Sequence, residues 1–133
     1  ARSLVVLERQ VSIPQFRLLV VLAEHGTLQS AVAATKLGVN PSSVTRLADR
    51  LVAAKLIRRE PSPTSRSVVC LTLTPSGKRL VAKVMKRRLE EVSRILANIP
   101  GAELPQVIRA MEIFSAAAGE RPGDRDSLLG VAP

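Results

Sequence analysis

The chain has 133 residues, a formal net charge of +9, 46% apolar residues, two Phe, no Trp or Tyr and one Cys. That length predicts one domain with a real core that needs neither disulfides nor metal, and a single cysteine excludes a disulfide framework within the chain. No apolar run approaches the roughly 18–20 residues of a membrane span, and the amino terminus lacks a signal-peptide layout. A reducing, cytoplasmic compartment is therefore expected. With so few aromatics the core must come from Leu, Val, Ile and Ala, a palette that favours helices packed on helices.

Charge is unevenly placed. Residues 36–66 carry seven basic and two acidic side chains, and residues 78–91 carry six and two. The rest of the chain is nearly neutral. A surplus confined in this way is the footprint of a polyanion partner, although a solubilising surface has the same composition.

In chain order, residues 4–11 (LVVLERQV) read as a short helix or the end of a longer one; with no initiator Met, that helix is expected to be truncated. Ser12 with Gln15 fits a capping box, and Pro14 suits the first turn of the helix that follows. Phe16, Leu19, Val20 and Ala23 mark one face of it, widened by Leu18, Val21 and Leu22, and Gly26 ends it. A second helix spans 29–38, with Val32, Ala33 and Leu37 inward and Gly38 as the stop. Asn40-Pro41 opens a third over 41–54, since Asn caps well and Pro tolerates the first position. Val44, Leu47, Ala48 and Leu51 form its inward stripe.

Ile57–Glu60 and Ser67–Leu73 read as two strands of a hairpin, with Val69, Leu71 and Leu73 alternating and PSPTSR as the loop. Cys70, in the apolar run VVCLTL, reads as a small buried hydrophobe. Thr74-Pro75 opens a long helix to about Asn98, with Val81, Met85, Leu89, Val92, Leu96 and Ile99 at helical spacing. Pro100-Gly101 breaks it. A last helix over 102–118 repeats the rhythm with Leu104, Val107, Ile108, Met111 and Phe114. Residues 119–133 read as a flexible tail.

Two short helices, a turn and a hairpin follow one another between Thr27 and Gly77, which is the order of a winged helix-turn-helix that reads duplex DNA. The outer face of the 41–54 helix is slim and polar. Ser42, Ser43 and Thr45 can bond base edges or phosphates near the helix N-terminus, and Arg46 can fork onto guanine. Arg50, one turn further, suits a phosphate. Arg66 at the hairpin tip can enter an adjacent minor groove. Lys36, Lys55, Arg58 and Arg59 are phosphate candidates. A solvated surface helix would look the same in isolation; the succession of parts distinguishes the two.

The pieces VAATKLGVNPSSVTRLADRL, LIRR and LTLTPSGKRL resemble the MarR (multiple antibiotic resistance regulator) family over about residues 4–118. The resemblance implies a mainly α fold with a small β-hairpin wing. The winged helix-turn-helix (27–77) and a helical dimerisation region (1–20 and 78–118) would form a single domain over 1–118. It further implies a homodimeric transcriptional repressor on a pseudo-palindromic duplex, released by a small-molecule effector. Two places depart from the family's usual pattern. The wing reads Ser65-Arg66-Ser67 where Asp-Arg-Arg is common, and Lys55 stands where Gly often follows the reading helix.

Other classes weigh less. There is no Gly-rich phosphate loop, nucleophile elbow or paired-carboxylate arrangement, so the chain does not read as an enzyme, and no cofactor is expected. His25 alone makes no metal site and is expected to solvate a helix end. An RNA-binding or ribosome-associated module would stack bases on aromatics, and both Phe residues fall on expected inward stripes. A winged domain used only as a protein-interaction platform would not need the basic surplus around 36–66.

Overall fold

Five helices and three strands make up the described part of the chain, residues 11–118 of a computed structural model. In order they are α1 (Ile13–His25), β1 (Leu28–Gln29), α2 (Ser30–Leu37), α3 (Pro41–Ala53), β2 (Ile57–Ser62), β3 (Ser65–Leu73), α4 (Pro75–Ala97) and α5 (Leu104–Ala117). The expected helix over residues 4–10 and the expected tail over 119–133 lie outside the described residues. Two compact units divide the chain, Ala1–Val84 and Met85–Pro133, so α4 begins in one and ends in the other.

In the first unit, α1, α2 and α3 enclose a core that β3 completes. Ser12 caps α1 as the spacing predicts. Its backbone N–H donates to Gln15 Oε1 at 2.8 Å, and the Gln15 N–H donates back to Ser12 Oγ at 3.4 Å. Gly26 and Gly38 end α1 and α2 with φ of 72° and 66°, left-handed conformations that only glycine adopts without strain. Leu18, Leu19, Val44, Leu51 and Leu71 are completely buried and form the centre of the core.

Three inward faces differ from expectation. Along α1 the buried set is Gln15, Phe16, Leu18, Leu19 and Leu22, and Ala23 is exposed. On α2, Ala34 takes the place expected for Val32, which is 39% exposed. This helix packs against both α1 and α3, and two adjacent alanines allow that close approach on two sides. Along β3, Cys70 is buried beside Leu71, whereas Val69 is 42% exposed. Strict alternation fails there because β3 is the central strand and its covered stretch begins only at Cys70.

The sheet has the order β1-β3-β2, all antiparallel. The sequence predicted two strands; the third is β1, with Leu28 opposite Leu71 and Gln29 opposite Cys70. A two-residue run has no periodicity to detect and exists only through its partner. The hydroxyls of Thr27 and Thr72 meet beside it. The strands also run further into the expected PSPTSR loop, leaving only Pro63-Thr64 as the turn. Pro61 fits because β2 is an edge strand.

Past Val84, the rest of α4 and α5 form the second unit. No residue of α5 is buried. Leu89, Val92 and Ile95 on α4 and Ile108, Met111, Ile113 and Phe114 on α5 are all at least 45% exposed. Phe114, expected on an inward stripe, is 77% exposed, while Phe16 is 7% exposed in the core. The helical rhythm of these segments was legible, but among the described residues the apolar side chains of α5 and of the far part of α4 stay exposed.

Candidate nucleic-acid interface

The apolar positions of α3 set which of its faces is presented. Val44, Ala48 and Leu51 are buried against α1 and α2. At about 100° per residue, the opposite arc carries Ser42, Thr45, Arg46, Asp49 and Arg50, and all five are exposed. Ser43 is half-buried at the edge of this arc. The Asn40 carbonyl accepts from the Ser43 and Val44 N–H groups at 2.9 and 3.3 Å, but its side chain makes no cap hydrogen bond. The expected Asn cap is thus present in the backbone alone.

Thr45 donates its hydroxyl back to the Pro41 carbonyl at 3.1 Å. It therefore offers its methyl group and an acceptor lone pair outward, not a donor. Arg46 and Arg50 have no hydrogen-bond or ion-pair partner among the described residues, so both guanidinium groups are free for an external anion or base. Lys36, in the last turn of α2, is also exposed, without a partner among the described residues. The neighbouring C-terminus of α2 is held by Arg17 of α1, whose Nη2 donates to the Leu37 carbonyl at 3.4 Å.

The wing projects its arginine by an irregularity in register. Pro61 faces Val69, but the next residue, Ser62, faces Ser65. Arg66, Ser67 and Val68 are thus extra residues on β3, and Arg66 is exposed on the resulting bulge. Hydroxyl contacts tie the tip: Ser62 Oγ to Thr64 Oγ1 at 3.0 Å, and Ser65 Oγ to Ser67 Oγ at 2.8 Å.

Of the other phosphate candidates, Lys55 is exposed, but Arg58 and Arg59 are engaged. Arg58 Nε lies 2.9 Å from Glu60 Oε1 on the same strand. Arg59 reaches from β2 to α3, with Nη1 2.6 Å from Asp49 Oδ1 and Nη2 donating to the Thr45 carbonyl at 3.0 Å. Sequence reasoning missed this clamp, because ten residues and a change of element separate its two side chains. His25 is exposed, its Nε2 3.8 Å from the Glu24 carboxylate.

A second lock sets the wing against α3. Thr74 Oγ1 donates to the Lys55 carbonyl at 2.7 Å and accepts from the Gly77 N–H at 3.1 Å, while the Thr74 N–H donates to the Leu56 carbonyl at 3.0 Å. Lys55 holds φ of 59°, the left-handed turn that redirects the chain from α3 into β2. The Thr-Pro-Ser-Gly run is therefore a helix cap and a wing anchor at once.

A buried helix scaffold that presents a polar, cationic helix beside an arginine-tipped β-hairpin is a winged helix-turn-helix, a DNA-binding module. The MarR family's sequence profile matches residues 9–66. Over 113 residues the chain is 32% identical to the HTH-type transcriptional repressor MdtR of Bacillus subtilis (strain 168), an alignment that covers 84% of this chain and 73% of that protein. The crystal structure of RV1404 from Mycobacterium tuberculosis matches with a TM-score of 0.83 at 42% identity, covering 90% of this chain and 82% of that one. The YusO protein from Bacillus subtilis matches with a TM-score of 0.77 at 31% identity, over 84% and 79% of the two chains. The chain belongs to the MarR family: it is a DNA-binding transcriptional regulator and not an enzyme. No helix among the described residues is long and apolar enough to cross a membrane.

Proposed function

We propose that this chain is a homodimeric, sequence-specific repressor that reads a pseudo-palindromic duplex in the cytoplasm and is released by a small-molecule effector. The observation that carries the reading is the outer face of α3. There Ser42, Thr45, Arg46 and Arg50 stand exposed, and neither arginine has a hydrogen-bond or ion-pair partner among the described residues. In this reading Arg46 contacts a base edge, Ser42, Ser43, Thr45, Arg50 and Lys36 hold base edges or phosphates, and Arg66 enters the flanking minor groove.

Dimerisation is supported by the apolar side chains of the second unit. A monomer would leave Phe114, Met111, Ile113 and Ile95 in water at 56–77% exposure, a patch of the kind that marks a protein interface. Phe114 lines a hollow with Val107, Ala110, Met111 and Ser115, which suits an apolar partner better than a stacked base. Two-fold symmetry would set two reading helices about one turn of DNA apart, on half-sites spaced by ~10 bp. Repression follows if that dimer blocks polymerase on a promoter. Effector control is supported by membership of the family.

Selection of bound duplexes from a random library tests reading, symmetry and spacing together. The expected product is an inverted repeat whose affinity falls steeply with salt, because several phosphates are neutralised. Recovery of no preferred duplex, with a flat salt response, would favour a protein-interaction platform. Preference for single-stranded RNA would favour the RNA-binding alternative.

A further inference from the structure

We propose that Asp49 reads a base, and that Arg59 holds its carboxylate in the reading position. This rests on the DNA-reading function proposed above. Asp49 is the one acidic residue of α3, set in a strongly basic stretch. It does not lie at the margin of the polar arc. It sits about 20° around the axis from Ser42 and about 60° from Arg46, with Thr45 about 40° to its other side. A carboxylate there would approach the floor of the major groove together with Arg46.

Its surroundings prepare it for that task. The Arg59 guanidinium is pinned at two points, by Asp49 Oδ1 at 2.6 Å and by the Thr45 carbonyl at 3.0 Å. That carbonyl belongs to the helical turn that the Asp49 N–H closes. Arg59 is the more covered partner, its side chain 34% exposed against 56% for Asp49. The Asp49 side chain stays 56% exposed in this pair, so the carboxylate remains open to a further donor. The pair offsets the repulsion that a bare carboxylate would meet from phosphates, and it restricts the Asp49 rotamer before binding.

An ionised carboxylate accepts hydrogen bonds and donates none. In the major groove its matching partner is the cytosine N4 amino group. The inference is therefore a cytosine preference at one position of each half-site, set by Asp49. Arg59 acts as a positioning residue and contacts no phosphate.

The test is duplex selection with the full chain and with Asp49→Asn, Asp49→Ala and Arg59→Ala, each checked for helical content, followed by titration at several salt concentrations. The unaltered protein should select cytosine at one symmetric position. Asp49→Ala should lower discrimination there by about tenfold and leave the other positions unchanged, and Asp49→Asn should shift the preference toward adenine. Arg59→Ala should weaken discrimination at the same position with an unchanged salt slope. Three results would overturn the inference: a loss equal on all sequences after Asp49→Ala, tighter binding to every duplex after Asp49→Asn, or a salt slope reduced by about one after Arg59→Ala. If the unaltered protein selects no duplex, the DNA-reading function itself fails, and that is known before any variant is compared. Asp49→Asn keeps the shape of the side chain, so the test stands even if Arg59→Ala does not fold.

Discussion

Replacing Gly77 by Ala should damage the fold at the base of the wing, although Gly77 lies in the first turn of a helix, where alanine is ordinarily the better residue. A Cβ at this position would stand 2.1 Å from the Leu56 carbonyl oxygen and 3.1 Å from both the Leu56 carbonyl carbon and Leu73 Cδ2. The nearest of these is backbone and cannot rotate away. It also accepts the Thr74 N–H at 3.0 Å, so moving it strains the lock between wing and α3. Overpacking of this kind costs ~1–3 kcal/mol. Loss of the Thr74 hydrogen bond adds ~1 kcal/mol, and the better helix propensity of Ala returns at most ~1 kcal/mol. The net expectation is a destabilisation of about 1–3 kcal/mol. Urea unfolding at fixed protein concentration reads it directly: with a slope of ~2 kcal/mol per molar, the midpoint should fall by roughly 0.5–1.5 M. A midpoint equal to or above that of the unaltered chain would refute the close-approach argument. It would mean that β2 can shift outward without resistance.

The opposite sign is expected at Lys55. Its φ of 59° strains a residue with a Cβ, so Lys55→Gly should raise stability by ~0.5–1 kcal/mol in the same assay, and a loss would show that the Lys side chain contributes more than its backbone costs. Phe114→Asp should leave helical content intact, because Phe114 is 77% exposed, but light scattering should fall from about twice the 14.3 kDa chain mass to the chain mass itself. A persistent dimer would remove α5 from the interface. Arg46→Ala should cost ~1–3 kcal/mol of binding at one base position of each half-site, and an equal loss on all duplexes would make Arg46 a phosphate contact. Arg66→Ala should weaken A·T-flanked sites most, and unchanged affinity there would take the wing out of the interface.

Element order and most boundaries were legible because they depend on local chemistry. The Ser12–Gln15 box, the Pro residues at helix starts, and Gly26 and Gly38 at helix ends each solve a backbone problem within a few residues of themselves. The amphipathic period of α3 likewise placed Ser42, Thr45, Arg46 and Arg50 outward, since burying Val44, Ala48 and Leu51 leaves no other face for them. Tertiary packing decided the rest. The strand β1 exists only because β3 passes beside it, and α2 turned Ala34 inward in preference to Val32 because it lies between two other helices. The wing bulge that presents Arg66 comes from a mismatch between two strands, and the Arg59–Asp49 clamp joins side chains that no periodicity links. Gly77 shows both levels in one residue. Its place in the Thr-Pro-Ser-Gly run could be read from the chain, but the backbone oxygen that forbids a side chain there is supplied by a turn 21 residues earlier. Local sequence sets what each segment tends to form; which faces are covered, and which charges stay free to meet DNA, depends on contacts between residues distant along the chain.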